Sequence, residues 1–379
     1  MKGTVIKRGK KWSVVIDLGV DPITGKRRRK WHSGFDRKRD AEQARIEILG
    51  RLQIGEYVEP SRMSLGRFLL DEWLPARRTT VAETTFANYE HQVRSYIVPH
   101  LGHRPLQGIT PAELNVFYAA LMENGRTQSS GGLSAKSTRH VHTVLRKALS
   151  DAVKWNLISR NPAASADPPK PVRPEMKTWS ADDVRTFLEA ERNTREHPIW
   201  NLAATTGMRR GEVLGLPWRA LDLDKERLSI TQTLVLVNGR PTLRAEAKTA
   251  SGRRSVELDT GTVSVLREHR RRQIEERLKA GSVWQDTGLV FCREDGTPIK
   301  PEWLTRTFNA RAKSAGLPKI RLHDLRHTWA TLALGAGVHP KIVSERLGHS
   351  TISITLDLYS HVSPGMDKAA AELVAALFR

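Results

Sequence analysis

Five prolines, Pro162, Pro168, Pro169, Pro171 and Pro174, fall within thirteen residues of one another. Each proline fixes its own φ and removes a backbone donor, so neither a helix interior nor a central strand can pass through this stretch. The expected outcome is a chain broken into separate bodies joined by an extended linker over 162–174. The length of 379 residues agrees, because single hydrophobic cores stop growing near ~250–300 residues.

Charge says what those bodies work on. There are 62 Lys and Arg against 41 Asp and Glu, a net charge of +21. The excess is +7 over residues 1–60, +6 over 61–172 and +8 over 173–379, so it belongs to every segment rather than to a tail. A positive field spread this way fits a nucleic-acid partner and a steep salt dependence of binding. A polyproline-like linker at ~3.1 Å per residue reaches roughly 40 Å, enough for flanking bodies to grip opposite sides of a duplex. Cys292 is the single cysteine; it excludes a disulfide framework and a cysteine-based zinc module, and fits a reducing compartment. No apolar run is long enough for a membrane helix, and Met1-Lys2-Gly3 leads into a basic polar segment, so a cytoplasmic, nucleoid-associated protein with no membrane partner is expected.

The periodicities predict an α+β chain, mainly helical with small antiparallel sheets. Trp12 to Leu18 alternates, turns through Asp21–Gly25 and returns from Arg27 to Phe35, a hairpin pattern. A helix follows from about Asp40 to Leu52. The returning strand carries five consecutive basic residues, Lys26, Arg27, Arg28, Arg29 and Lys30, which must put charge on both faces. Charge alone can protect an edge strand from aggregation; with Trp12 and Trp31 beside it, a β-ribbon lying along a DNA groove is the favoured reading, with Arg27, Arg28, Arg29 and Lys30 as DNA-binding candidates. Residues 61–161 read as helices. Thr110-Pro111-Ala112-Glu113 is a capping box ahead of Leu114, Phe117, Tyr118 and Leu121, and Ser134 opens a helix bearing Val141, Leu145, Leu149 and Val153. Segment 175–379 begins and ends helical. Its middle reads as three antiparallel strands, Arg227–Val237, a second reaching Lys248 past Asn238-Gly239, and Arg253–Leu258.

Common nucleotide-binding motifs are absent, and His323 with His327, four apart, lack a carboxylate or third ligand at fitting spacing, so no metal and no cofactor are expected. A set of scattered basic groups and one tyrosine stands out instead. Arg209 lies in Thr206-Gly207-Met208-Arg209-Arg210-Gly211-Glu212, where a glycine turn feeds a helix. His323 and Arg326 lie three apart in Leu322-His323-Asp324-Leu325-Arg326-His327. Gly348 ends a helix begun near Pro340, His349 follows, and Tyr359 comes ten residues later. Singly, each is an ordinary solvated or packed side chain.

In this order and spacing, from about Ser64 to Arg379, they resemble the tyrosine recombinase, or phage integrase, family. Its signature of Thr-Gly-x-Arg-x-x-Glu, a β-turn Lys, His-x-x-Arg, Gly-His and a C-terminal Tyr is matched here by Arg209 with Glu212, Lys248, His323 with Arg326, His349 and Tyr359; Met208 stands where Leu is commoner. The resemblance implies site-specific DNA cleavage and rejoining through a covalent 3′-phosphotyrosine, without ATP or metal, by four protomers on two DNA sites. The chemistry is coherent. Two arginines offer planar, permanently charged donors to the non-bridging oxygens of a pentavalent phosphate. Tyr359, weak at its free pKa of ~10, needs a base, for which His323 is suited, with His349 bonding the phosphate. Lys248 is the expected acid for the leaving 5′-oxygen, and Glu212 is expected to orient the basic residues.

The layout of residues 1–60 is similar to the arm-site-binding domains of phage-type integrases, which favours an integrase of a phage or mobile element, assisted by host bending or excision factors, over a chromosome or plasmid dimer resolvase. A catalytically silent DNA-binding regulator and a type IB topoisomerase are the rival classes. The expected order is an arm-binding domain (1–60), a helical core-binding domain (61–161), the linker (162–174) and a catalytic domain (175–379). A last helix, Asp367–Phe378, carries an apolar stripe at Ala369, Leu373, Ala376 and Leu377; the resemblance implies that it docks on a neighbouring protomer.

Overall fold

A computed structural model describes residues 3–20, 24–53, 57–127, 129–172, 176–237, 239–245, 254–349, 351–353, 355–356, 375–376 and 378. Lys248, Tyr359 and nearly all of the Asp367–Phe378 helix lie outside the described residues. Packing divides the chain into two compact units, Met1–Arg173 and Pro174–Arg379. The fold is mainly helical with small antiparallel sheets. Among the described residues no helix is long and apolar enough to cross a membrane.

The first unit opens with a three-stranded antiparallel sheet, Gly3–Arg8, Lys11–Val20 and Arg27–Phe35, with the middle strand between its chain neighbours. The hairpin is as expected, and the strand Gly3–Arg8 is an addition to it. Only Gly3 and Val5 of that strand are even half-buried, so it carries no alternating signal for a sequence reader. It is held by its register instead, through Gly9 at φ 63°, where a left-handed turn residue is required. Val14 and Ile16 turn to the same face and close a small core against Ala41 of the helix Lys38–Gln53.

The remainder of this unit is helical. Thr110 and Glu113 form the reciprocal cap, each side chain accepting from the other's backbone N–H at 3.3 Å. Ser134 caps the helix Ala135–Lys154 by accepting from Ser137 N at 3.2 Å. Leu114, Phe117, Tyr118, Leu121, Val141, Leu145 and Leu149 are buried in one core. At its edge the Asp151 carboxylate, 1% exposed, accepts from Arg77 at 2.7 Å, Lys147 at 2.8 Å and Trp73 Nε1 at 2.9 Å. The proline-rich stretch is less extended than its composition predicts. Pro162–Ala164 forms a 3₁₀ turn capped by Asn161, and Ala163 and Ala166 are buried in the helical core. Proline suits a first helical turn, and two small alanines fit where the turn meets the core.

In the second unit the helices Ala181–Ala190, His197–Thr206, Thr260–Ala280, Pro301–Ser314 and Asp324–Gly335 surround a core centred on Trp179, Phe187, Trp200 and Phe308, whose paired ring centroids lie 5.2–5.9 Å apart. The predicted single three-stranded sheet is corrected. Leu221–Asp222, Arg227–Ser229 and Ser255–Glu257 make one antiparallel sheet, while Gln232–Val237 and Arg240–Ala245 make a separate hairpin. The long strand divides at Ile230-Thr231, where the chain leaves one sheet for the hairpin. Leu228, Ile230 and Leu234 all enter the main core, and the hairpin strand Gln232–Val237 also crosses the short helix Arg210–Leu214. There, a Cβ on Gly215 would sit 2.7 Å from Leu234 N, so the crossing requires glycine.

Candidate active site

The site in the second unit is built around the C-terminal end of the helix Pro340–Leu347. Gly348 ends that helix at φ 66°, in the left-handed conformation that favours glycine. A helix end leaves carbonyls without intrahelical partners. Three consecutive ones here, Arg346 O, Leu347 O and Gly348 O, accept from three arginines: Arg254 Nε at 2.7 Å, Arg326 Nη2 at 2.6 Å and Arg209 Nη2 at 2.8 Å. The partial negative charge of the helix end favours cations at this place.

Each arginine arrives by a different local device. Gly207 terminates the helix His197–Thr206 at φ 64°, and a Cβ there would meet Leu347 Cδ2 at 2.6 Å, so this turn can lie against the Pro340–Leu347 helix only without a side chain. Two residues later Arg209 occupies the N-cap of Arg210–Leu214 in extended conformation. Arg326 is carried on the first turn of Asp324–Gly335, is 3% exposed, and also donates to Gly207 O at 2.9 Å. Arg254 precedes the strand Ser255–Glu257, and its carbonyl accepts from Ile230 N at 2.9 Å.

Glu212 joins two of them. Its carboxylate is 1% exposed and takes Arg209 Nη1 at 2.7 Å, Arg209 N at 2.9 Å, and Arg254 Nη1 and Nη2 at 3.1 and 2.8 Å. Burial works to raise its pKa, but bonding and charge from Arg254, then bonds from Arg209, outweigh it and hold the carboxyl below the usual range. Three guanidiniums against one carboxylate leave two positive charges uncompensated. The crowding shows in Arg326, whose pKa burial and the neighbouring Arg209 pull down to about 9. Arg209, with 43% of its side chain exposed, keeps N–H donors beyond those that Glu212 and Gly348 use.

The imidazoles are held neutral. His349 donates or accepts at Nδ1 with Thr355 Oγ1 at 2.8 Å, and burial followed by the Arg326 and Arg209 charges lowers its pKa to about 4. His323 keeps an exposed edge at the N-cap of Asp324–Gly335. Its inner side is packed enough for desolvation, then His327 and Arg326, to lower its pKa to about 4. With one edge open, the direction is what counts for chemistry: an imidazole free to accept a proton near neutral pH. His327 stands edge-on to it at a centroid distance of 5.1 Å. Behind them Asp324, 4% exposed in its side chain, is clamped by Arg321 N at 2.8 Å and Arg321 Nη2 at 2.7 Å.

Arg209, Glu212, Arg326 and His349 are thus brought into one site, with His323 on the turn that carries Arg326. Lys248 and Tyr359 lie outside the described residues. Arg254 was not singled out by its sequence, and the signal was thin: two adjacent arginines, Arg253 and Arg254, ahead of a short strand. A buried acid that needs more than one cation becomes visible only in the fold.

In the first unit Arg27, Arg28 and Arg29 are exposed, with Arg27 Nε 3.9 Å from Asp17. Lys30 differs: it is half-buried and ion-paired to Glu59, whose carboxyl that contact holds low. Trp31 is 46% exposed, and the Arg8 guanidinium stands over its ring at 5.8 Å. A second basic surface escaped the sequence reading. On the helix Ala135–Lys154, Lys136, Arg139, His140, Thr143 and Arg146 form an exposed stripe at helical spacing, opposite the buried face.

Comparison with known proteins follows the same divisions. The sequence pattern of the phage integrase family matches residues 177–366. An arm DNA-binding domain pattern matches 5–52, and that of the phage integrase N-terminal SAM-like domain matches 67–122. A tyrosine recombinase XerC-like protein of Caldanaerobacter subterraneus subsp. tengcongensis is 32% identical, with 100% of this chain and 99% of the relative covered. The ICEBs1 integrase of Bacillus subtilis is 26% identical over 95% of this chain and 96% of its own. Among solved structures, the Tn1549 transposon integrase bound to transposon right end DNA shares the fold at a TM-score of 0.68 and 19% identity, covering 83% of this chain and 99% of that one. A lambda integrase dimer bound to a COC′ core site does so at 0.56 and 17% identity, covering 93% of each chain.

Proposed function

The chain belongs to the phage integrase family and is a tyrosine site-specific DNA recombinase, and from that premise we propose how its residues divide the reaction. The observation that carries the assignment is the convergence of Arg209 and Arg326 on one helix end immediately before His349, with neutral imidazoles beside a surplus of positive charge. Two uncompensated guanidinium charges match the two negative charges that build up on the non-bridging oxygens of a pentavalent phosphorus. The carbonyl contacts fix the planes of both guanidiniums before DNA arrives, so little reorganisation is left for the transition state.

The Tyr359 oxygen attacks the scissile phosphorus and gives its proton to His323. The bond to the 5′-oxygen breaks, and Lys248 supplies that oxygen with a proton. A 3′-phosphotyrosine remains and keeps the bond energy, so an incoming 5′-hydroxyl reverses the steps and rejoins the strand. His349 donates a hydrogen bond to the phosphate. His323 can act as acceptor only when neutral, which its environment favours.

The exposed arginines of the Arg27–Phe35 strand and the stripe on Ala135–Lys154 support two DNA contacts, with arm and core sites respectively. On this reading a homotetramer forms on DNA in the cytoplasm, helped by bending or excision factors, and the segment 367–378 links its protomers. The arm DNA-binding pattern over residues 5–52 supports an element integrase rather than a dimer resolvase.

The test is a nicked suicide substrate that loses its 5′-hydroxyl fragment on cleavage. Wild-type protein should accumulate a covalent adduct, and Tyr359→Phe should bind the same DNA without forming one. An adduct in Tyr359→Phe, mapped to Tyr57, Tyr89, Tyr96 or Tyr118, overturns the assignment. Lys248→Ala should cleave slowly, by ~10²–10⁴-fold, and recover on a 5′-bridging phosphorothiolate, whose sulfur leaves without a proton.

A further inference from the structure

We propose that Arg254 is a positioning residue for strand cleavage: it holds Glu212 in place, through Glu212 sets the plane of Arg209, and ties both to the helix end that presents His349. The inference rests on the reading of Arg209 and Arg326 as the phosphate clamp.

Glu212 is shared evenly. Oε1 takes one bond from Arg209 and one from Arg254, and Oε2 does the same. The two arginines are not alike in burial. Arg209 has 43% of its side chain exposed and Arg254 has 8%. A carboxylate 1% exposed needs a counter-charge that does not leave. Arg209 borders the open side, where its remaining donors can meet a phosphate, whereas Arg254 is almost wholly enclosed. Without Arg254 the buried carboxylate would face Arg209 alone. It would then either draw that guanidinium inward or take up a proton, and in both cases Arg209 meets the phosphate in altered geometry.

The third bond gives Arg254 a longer reach. Its Nε donates to Arg346 O, the first of the three carbonyls whose successors accept from Arg326 and Arg209. Its own carbonyl accepts from Ile230 N, which fixes it beside the sheet strand Arg227–Ser229. One planar side chain therefore connects the sheet, the acid and the helix end that leads to His349. Lysine, a point charge without a fork, cannot serve the carboxylate edge and the carbonyl together.

The experiment measures single-turnover adduct formation by the full chain at saturating protein, on the suicide substrate with either an ordinary scissile phosphate or a methylphosphonate. Arg254→Gln should slow cleavage of the phosphate by ~10²-fold, as expected when a preorganised donor is disturbed. DNA affinity should stay within about twofold, and Arg254→Lys should fall between Arg254→Gln and wild type. The methylphosphonate lacks one non-bridging negative charge, so the deficit of Arg254→Gln should shrink on it. Glu212→Gln/Arg254→Gln should be no slower than the slower single variant, since the two act as one unit. Equal deficits on both substrates, or losses that multiply in the double variant, overturn the proposal. If Arg254→Gln melts below the assay temperature, Arg254→Lys carries the substrate comparison. Adduct formation by Tyr359→Phe, or full activity of Arg209→Gln, would defeat the clamp reading itself; a wild-type rate for Arg254→Gln with both controls inactive defeats only the role of Arg254.

Discussion

Asp151 in the helical part of the first unit and Glu212 in the catalytic unit are the same device put to different ends. Each carboxylate is 1% exposed and each is gripped by two cations, Arg77 and Lys147 in one case, Arg209 and Arg254 in the other. Around Asp151 the third donor is Trp73 Nε1, from a side chain buried in the same core. The Arg77 and Trp73 bonds tie other helical segments to the helix that carries Asp151, the Lys147 bond runs along that helix, and the network ends in packing. Around Glu212 the cations continue to backbone carbonyls at a helix terminus, where a third arginine adds charge with no acid to balance it. The first network keeps one surplus charge and makes no bond to a helix end, whereas the second keeps two and holds them at a helix terminus with an open edge. A buried acid with two cations is thus no mark of an active site by itself; what its cations do with their remaining donors is.

That contrast can be broken by experiment. Asp151→Ala should have the largest effect, a loss of about 3–5 kcal/mol of stability from leaving Arg77 unpaired beside the core. Hydrogen exchange across 135–154 would register it, while adduct formation per folded molecule should stay near wild type; a loss of chemistry out of proportion to folding would erase the distinction between the two networks. Glu212→Gln should do the converse, slowing adduct formation by ~10²-fold at saturating DNA with a smaller change in melting temperature than Asp151→Ala. Burst kinetics alongside thermal unfolding would decide it.

Acid provides a third comparison. His323 and His349 fall from 6.5 to about 4 in the folded chain. The unfolded chain therefore takes up protons first as the pH drops below 6.5, and stability is lost progressively toward 4. His142 in the helical unit, lowered by burial, acts with the same sign. Cleavage should show no inflection from His323 near 6.5 and should fail only as the pH approaches 4; a rate that halves near 6.5 would mean that the acceptor is another group or that His323 is solvated in the complex. The smallest expected effect is that of Trp73→Phe, which removes one donor from Asp151 but leaves both cations. It should cost about 1 kcal/mol in denaturant unfolding and nothing in cleavage.

Much of this was legible before any fold was known. The capping box at Thr110, the glycine turn feeding a helix at Arg209, the glycine terminating the helix before His349 and the alternation around Val14 and Ile16 are local rules, and local rules are written in neighbouring residues. The order of Arg209, His323, Arg326, His349 and Tyr359 was likewise readable, because spacing along a chain survives as a pattern. Three things were not. The Gly3–Arg8 strand sends only Val5 against the small core and otherwise rests on its pairing. The strand Arg227–Val237 reads as continuous along the chain, and only the fold shows its two halves pairing in different sheets, Arg227–Ser229 with Ser255–Glu257 and Gln232–Val237 with Arg240–Ala245. Arg254 gave no sign because its partners, Glu212 and Arg346 O, are 42 and 92 residues away. The sequence by itself determined which residue types are present and in what order, hence the chemistry on offer. The tertiary structure alone decided which arginine is buried and which stays open, because burial and counter-charge depend on neighbours that only folding brings together.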